Sequence, residues 1–265
     1  MIDLEKAKQT FKEYVQNYNL DNPHIAEKVT HTYRTVNVAE TIAKELNLEE
    51  EDRKLASIIA LLHDIGRFEQ LTNYHTYSDI ESIDHGDLGV KILFEDKLIE
   101  KFIEDRKYDR IIYLAIKNHN KYKIQEGLEK QEQLHCKIVR DADKTDIFEV
   151  LTQDMQKGKG ILYDYTKIGK QKISEEILNA YRENKQVESK YVKNEIDGYI
   201  NMISFIYDYN FSIGLDIVKR NQYIDNMIRV VNIHKEQKKQ FDELLEIANT
   251  YIEKRVSLKQ KDTII

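Results

Sequence analysis

Apolar and small residues recur along most of this chain at the spacing of one helix face. Over 24–47 they fall at Ile25, Val29, Val36, Ala39, Ala43 and Leu46, close to the period of about 3.6 residues that marks an amphipathic helix. Asn22 and Pro23 stand just ahead of it, a side-chain cap followed by proline where the missing N–H costs nothing. A second helix is expected over 52–64. Its run LASIIALL is apolar on every side, so it belongs at the centre of a core, and Gly66 is read as its C-terminal stop. The stretch 70–82, QLTNYHTYSDIES, mixes polar and aromatic residues without a period and reads as a loop.

Further helices are expected over 84–95, 97–105, 109–119 and 130–157. The segment 158–170, GKGILYDYTKIGK, carries three glycines and is the natural hinge or boundary. Beyond it lie more amphipathic segments, of which 190–209 is the clearest, with Val192, Ile196, Tyr199, Ile203 and Ile206 on one face. The final SLKQKDTII is expected to fray. The reading is all-α: a helical domain over 1–165 and a helical extension over 166–265 packed on it.

Composition agrees with this reading and narrows the function. One proline, nine glycines and no tryptophan argue against a turn-rich β-sandwich. A net charge of −6 gives no basic field to attract nucleic acid. Cys136 is the only cysteine, so an intrachain disulfide and a thiolate zinc cluster are both excluded. MIDLEKAKQT lacks the pattern of a signal peptide, and the apolar run at 55–62 is far short of the roughly 20 residues that span a bilayer. A soluble, cytoplasmic protein without membrane association is expected; self-association is left open.

The polar residues at the edges of the apolar segments carry the chemistry. His63 and Asp64 close the most apolar helix, in LLHDIGRF. Neighbouring helix residues point about 100° apart, so the pair can meet at one point only near the helix end. Asp143 lies on the stripe Cys136, Val139, Asp143, Ile147, Val150, where a carboxylate must be protonated, paired (Arg140 and Lys144 are adjacent) or bound to a metal. His31 lies beside a core face, His85 opens the helix DHGDLGVKIL, and His119 closes IIYLAIKNHN. Each alone is weak evidence; together they are four histidines and two aspartates at the ends or inner faces of successive helices.

That ordered set resembles the HD superfamily of metal-dependent phosphohydrolases, an all-helical fold defined by H…HD…D. His31, the His63–Asp64 doublet and Asp143 in DADK match its motif. HGDLGVKIL and AIKNHN resemble the segments that supply two more histidines in the binuclear branch, at His85 and His119. The resemblance spans roughly 24–150, so it makes 1–165 an HD domain. It implies one or two divalent transition metal ions (Fe, Mn, Co, Ni or Zn) held by His31, His63, Asp64, His85, His119 and Asp143. Asp64 is then the bridge, with His31, His63 and Asp143 completing one ion and His85 and His119 holding the other. Members that hydrolyse cyclic dinucleotides carry a double histidine where this chain has His119–Asn120, and continue with a G-Y-P motif absent here. The pattern is closer to bacterial members that cleave symmetrical dinucleoside polyphosphates.

The resemblance implies cleavage of a phosphoester or phosphoanhydride by a metal-activated water, with a small, nucleotide-type phosphorylated substrate as partner. Asp64, Arg67 and Lys144 are the catalytic candidates. Arg67, directly after HDIG, and Lys144, after Asp143, are the first cations for substrate phosphate, with Arg34 third. Tyr74, His75 and Tyr77 in the loop are placed to stack on a base or close over the pocket. His24, His135 and His234 have no partner pattern and read as structural or exposed. Two other functions remain: a mixed-valent di-iron oxygenase, known among HD-fold proteins with the same ligand set, and a non-catalytic binding module stabilised by its metal.

Overall fold

A computed structural model describes residues 2–156, 160, 163–230 and 233–258. It is all-helical, with no β-strand among the described residues. The helices are α1 (Leu4–Val15), α2 (Pro23–Glu45), α3 (Glu50–Leu62), α4 (Ile65–Tyr74), α5 (His85–Val90), α6 (Ile99–Phe102), α7 (Asp109–Asn118), α8 (Lys130–Gln156), α9 (Tyr165–Ile168), α10 (Glu175–Arg182), α11 (Glu195–Ile203), α12 (Ser212–Arg220), α13 (Tyr223–Val230) and α14 (Lys238–Ser257). Among the described residues no helix is long and apolar enough to cross a membrane. The chain divides into two compact units, one reaching Asp143 and the other beginning at Lys144.

In the first unit α3 is the central element. Every residue from Leu55 to Leu62 is buried, as its all-round apolar pattern requires. It lies against α2, whose inner face carries Ile25, Val36, Ala39, Ile42 and Ala43. Asn22 caps α2 by accepting a hydrogen bond from the His24 amide, with Pro23 at the start.

Gly66 does not stop α3. That helix ends at Leu62, and a new one, α4, begins at Ile65 with Gly66 inside it. The glycine is needed for close approach: a Cβ at this position would run into the carbonyl oxygen of His85 and lie 2.8 Å from the Gly89 nitrogen. The backbones of α4 and α5 therefore meet directly. His75, in the left-handed region at φ 56°, ends α4, so the irregular loop starts later than its sequence pattern indicates.

One expected helix changes type along its length and another is shortened. Over 84–95, α5 passes into a π-helical turn at Lys91–Glu95. Over 97–105 only α6 forms, because Ile103 leaves helical backbone at φ −137° while staying buried.

The second unit has its own core, built on Phe148, Leu151, Ile177, Ile196, Ile203, Leu215, Met227, Phe241 and Leu244. Two tyrosines are completely buried there because their hydroxyls find carbonyls: Tyr181 donates to Ile200 O at 2.8 Å and Tyr199 to Met227 O at 2.8 Å. The segment expected as one helix over 190–209 is α11 flanked by 3₁₀ turns at Ser189–Tyr191 and Ser204–Asp208. Asn194 sets its start by accepting from the Asp197 amide. Of the expected hinge at 158–170, residues 158–159 and 161–162 lie outside the described residues, as do 259–265 of the tail.

Candidate metal centre

The first unit brings six side chains from successive elements to one buried place. His31 comes from α2, His63 caps the C-terminus of α3, and Asp64 sits at the N-cap of α4. His85 is the first residue of α5, His119 caps α7, and Asp143 projects from α8. The four imidazoles and Asp64 are almost inaccessible to solvent; Asp143 is the least covered, at 15% side-chain exposure.

The two oxygens of Asp64 face different partners. Oδ2 lies 3.5 Å from His31 Nε2 and 3.6 Å from His63 Nε2. Oδ1 lies 3.5 Å from His85 Nε2 and 3.6 Å from His119 Nε2. Asp143 Oδ1 joins the first group, 3.2 Å from His31 Nε2 and 3.6 Å from His63 Nε2. The imidazoles also approach in pairs, with His31 and His63 Nε2 atoms 3.3 Å apart and those of His85 and His119 3.0 Å apart. Donors bound at about 2.1 Å to one ion lie roughly 3.0–3.4 Å apart; three of these spacings fall in that range and the other five exceed it by 0.1–0.2 Å.

Tautomers argue the same way. His63 Nδ1 is 2.7 Å from Ala60 O, and His119 Nδ1 is 2.6 Å from Ile116 O. A carbonyl can only accept, so both Nδ1 atoms carry a proton, and in the neutral ring Nε2 is the nitrogen left to bind a metal. His85 Nδ1 is 2.7 Å from Asp79 Oδ2, which assigns its proton in the same way. The Nε2 atoms of His85 and His119 stand 3.0 Å apart, close enough to share one cation. The donor set, imidazole nitrogen with carboxylate oxygen, suits divalent transition metals.

The charge states are consistent with ligation. Burial alone would raise the Asp64 carboxyl, but the Lys28 ammonium and His63 outweigh it and hold it well below the usual carboxylate range. Burial also opposes ionisation of Asp143, yet the adjoining His31 and His63 imidazoles keep it well below that range. Burial, reinforced by the Arg67 charge, pushes the His85 imidazole down to about 4, so it is neutral and able to bind metal at pH 7.

The residue range 29–148, which contains all six of these side chains, matches the family model of the HD domain. This stretch is an HD domain. HD domains bind divalent metal ions, and most proteins that carry them are metal-dependent phosphohydrolases. No curated protein and no solved structure gave a significant match to the chain.

Around the six, the HD domain arranges its cations differently from their order in the sequence. Arg67 is 14% exposed, and its Nη1 donates to Gln70 Oε1, to Tyr77 O at 2.8 Å and to Asp79 Oδ1 at 3.0 Å. Its Nε is buried, makes no hydrogen bond, and lies 3.8 Å from Asp64 Oδ1. Arg34 pairs with Glu27 at 2.8 Å. Lys144, in the second unit, pairs with Asp208 at 2.7 Å. Tyr77 donates to His24 O at 3.1 Å, and Tyr74 is 48% exposed. His135 does have a partner: its Nε2 is 3.1 Å from Asp52 Oδ1.

Two residues here had no mark in the sequence reading. Lys28 Nζ lies 2.7 Å from Asp64 Oδ2 and 5.4 Å from the Tyr77 ring centroid. Its position one turn before His31 in α2 was the available signal. Asp79, in the 75–84 loop, accepts from His85, Arg67, Gln70 and Asn120.

Proposed function

We propose that this HD domain is a two-ion phosphohydrolase acting on a small, nucleotide-type phosphoester or phosphoanhydride. The observation that supports it is the division of Asp64: Oδ2 faces His31 and His63, and Oδ1 faces His85 and His119. One carboxylate between two nitrogen groups is the arrangement a bridging ligand needs. Divalent ions held by these six residues would supply positive charge for phosphoryl oxygens and lower the pKa of a bound water.

The remaining work falls to the chain's own residues. Asp64 and Asp143 stay ionised, for the reasons given above, and so offer charge as well as lone pairs. Lys28 is 17% exposed and is the cation best placed to meet a substrate oxygen at the edge of the site. Arg67 adds positive charge on the other side of Asp64, its Nε 3.8 Å from Oδ1. Tyr77 closes over Lys28 and Arg67, whose charged groups lie 5.4 and 5.7 Å from its ring, and restricts their motion.

The test is a hydrolysis screen of nucleoside mono-, di- and polyphosphates with the purified chain, loaded in turn with Mn²⁺, Fe²⁺, Co²⁺, Ni²⁺ or Zn²⁺. Phosphate or nucleotide release, lost in Asp64→Ala, is the expected outcome. No release under any metal, with oxygen uptake by the iron-loaded chain instead, would replace hydrolysis with an oxygenase reading.

A further inference from the structure

The four histidines do not all hold their rings by the same means. His63 and His119 stand at the C-terminal ends of α3 and α7, where each can turn Nδ1 onto a carbonyl three residues back, at 2.7 Å from Ala60 O and 2.6 Å from Ile116 O. Those partners come with the helix and do not depend on any side chain. His85 is the first residue of α5, so no preceding helical turn exists to supply such a carbonyl. Its Nδ1 instead meets a carboxylate six residues earlier in the loop, at 2.7 Å from Asp79 Oδ2 and 2.9 Å from Oδ1.

Asp79 is itself fixed from several directions. Its Oδ1 accepts from Arg67 Nη1 at 3.0 Å and Gln70 Nε2 at 2.9 Å, both on α4. Its Oδ2 accepts from Asn120 Nδ2, just past α7, at 3.1 Å. Gln70 also ties down the rest of the loop through Ser82 Oγ and Ile83 O, both at 2.9 Å. A carboxylate that binds the far nitrogen of a ligating imidazole fixes its tautomer and orientation and raises its basicity.

We propose that Asp79 is a positioning residue for the His85–His119–Asp64 half of the centre, and that the 75–84 loop is therefore a working part of that half only. The other half, His31, His63 and Asp143, has no contact with Asp79 among the described interactions. This inference rests on the two-ion reading above. It predicts selective loss: disturbing Asp79 weakens one ion and spares the other. It also assigns Arg67 Nη1 a supporting task.

The experiment is a Mn²⁺ titration of the full chain after stripping with EDTA, with bound metal counted and each stepwise affinity measured. The proteins are the wild type, Asp79→Asn, Asp79→Ala, and His85→Ala and His31→Ala as markers for the two halves. Unfolding midpoints are measured in EDTA alongside. The wild type is expected to take up two ions. Both Asp79 variants are expected to bind one as the wild type does and the other about 10- to 100-fold more weakly, following the His85→Ala pattern rather than the His31→Ala pattern. If Asp79→Ala fails to fold, the nearly isosteric Asp79→Asn decides. Two ions bound to Asp79→Asn at wild-type affinity would overturn the inference alone, and so would equal weakening of both. A wild-type chain that takes up one ion would overturn the two-ion reading and this inference with it.

Discussion

Asp64 and Lys28 are 2.7 Å apart, and substitutions at the two should have opposite consequences. Asp64 places one carboxylate oxygen beside each nitrogen group, so Asp64→Ala is expected to abolish bound metal and hydrolysis together. Full activity in a metal-free Asp64→Ala protein would contradict the mechanism. Lys28 contributes charge and contributes nothing to coordination. Lys28→Met should keep its metal content and lose the charge-assisted contact to substrate, worth about 1.5–3 kcal/mol, so kcat/KM should fall about 10- to 100-fold. Metal analysis beside steady-state kinetics separates the two cases. The difference in what could be read beforehand has the same origin. His31, His63, Asp64, His85, His119 and Asp143 are polar residues at the ends or inner stripes of apolar helices, a conflict visible in one dimension. Lys28 lies in a charged stretch, EKVTH, and Asp79 in a loop without a period. Nothing local distinguishes them, because their importance comes from helices distant in sequence.

At the scale of elements, the period of apolar residues foretold where helices run but not where they break or touch. Gly66 carries the signature of a helix stop, and a stop does fall nearby, at His63. Its role is set by α5, some twenty residues on, whose backbone occupies the space of a side chain. Gly66→Ala should therefore force α4 and α5 apart at a cost of about 1–3 kcal/mol, seen as a lower midpoint in thermal unfolding of the metal-free chain. An unchanged midpoint would mean that the two backbones separate freely. A second tie, between α3 and α8, is pH-sensitive. The hydrogen bond from His135 is the main cause holding the Asp52 carboxyl below its ordinary value, against a smaller opposing effect of burial. A carboxyl depressed by folding stabilises the protein above its unfolded pKa, about 3.9, and that contribution is lost as pH falls through the lower folded value. The stability gap between wild type and Asp52→Asn, both stripped of metal, should accordingly be constant above about pH 5 and shrink below about pH 4. A gap that widens with acid would show that the pair is not what shifts Asp52.

At the scale of the whole molecule, the six donors come from α2, α4, α5, α8 and the ends of α3 and α7, so the centre draws together most helices of the first unit. The Nε2 atoms of His85 and His119 stand 3.0 Å apart, and Asp64 and Asp143 stay ionised beside Lys28 and the imidazoles against the cost of burial. A cation that binds the folded chain and not the unfolded one stabilises it through mass action, by about 2.7 kcal/mol at a concentration 100 times its dissociation constant. That stabilisation should be local. Amide exchange of the full chain, with EDTA and then with saturating Mn²⁺, is expected to show added protection in α2, α3, α5 and α7. The helices α10–α14, which build the separate core of the second unit, serve as an internal reference and should exchange alike in both conditions. Asp64→Ala should show no metal-dependent change in either set. Protection spread evenly over α2–α14 would mean that the ion acts on the chain as one cooperative body. Protection that persists in Asp64→Ala would place the stabilising ion somewhere other than between these histidines.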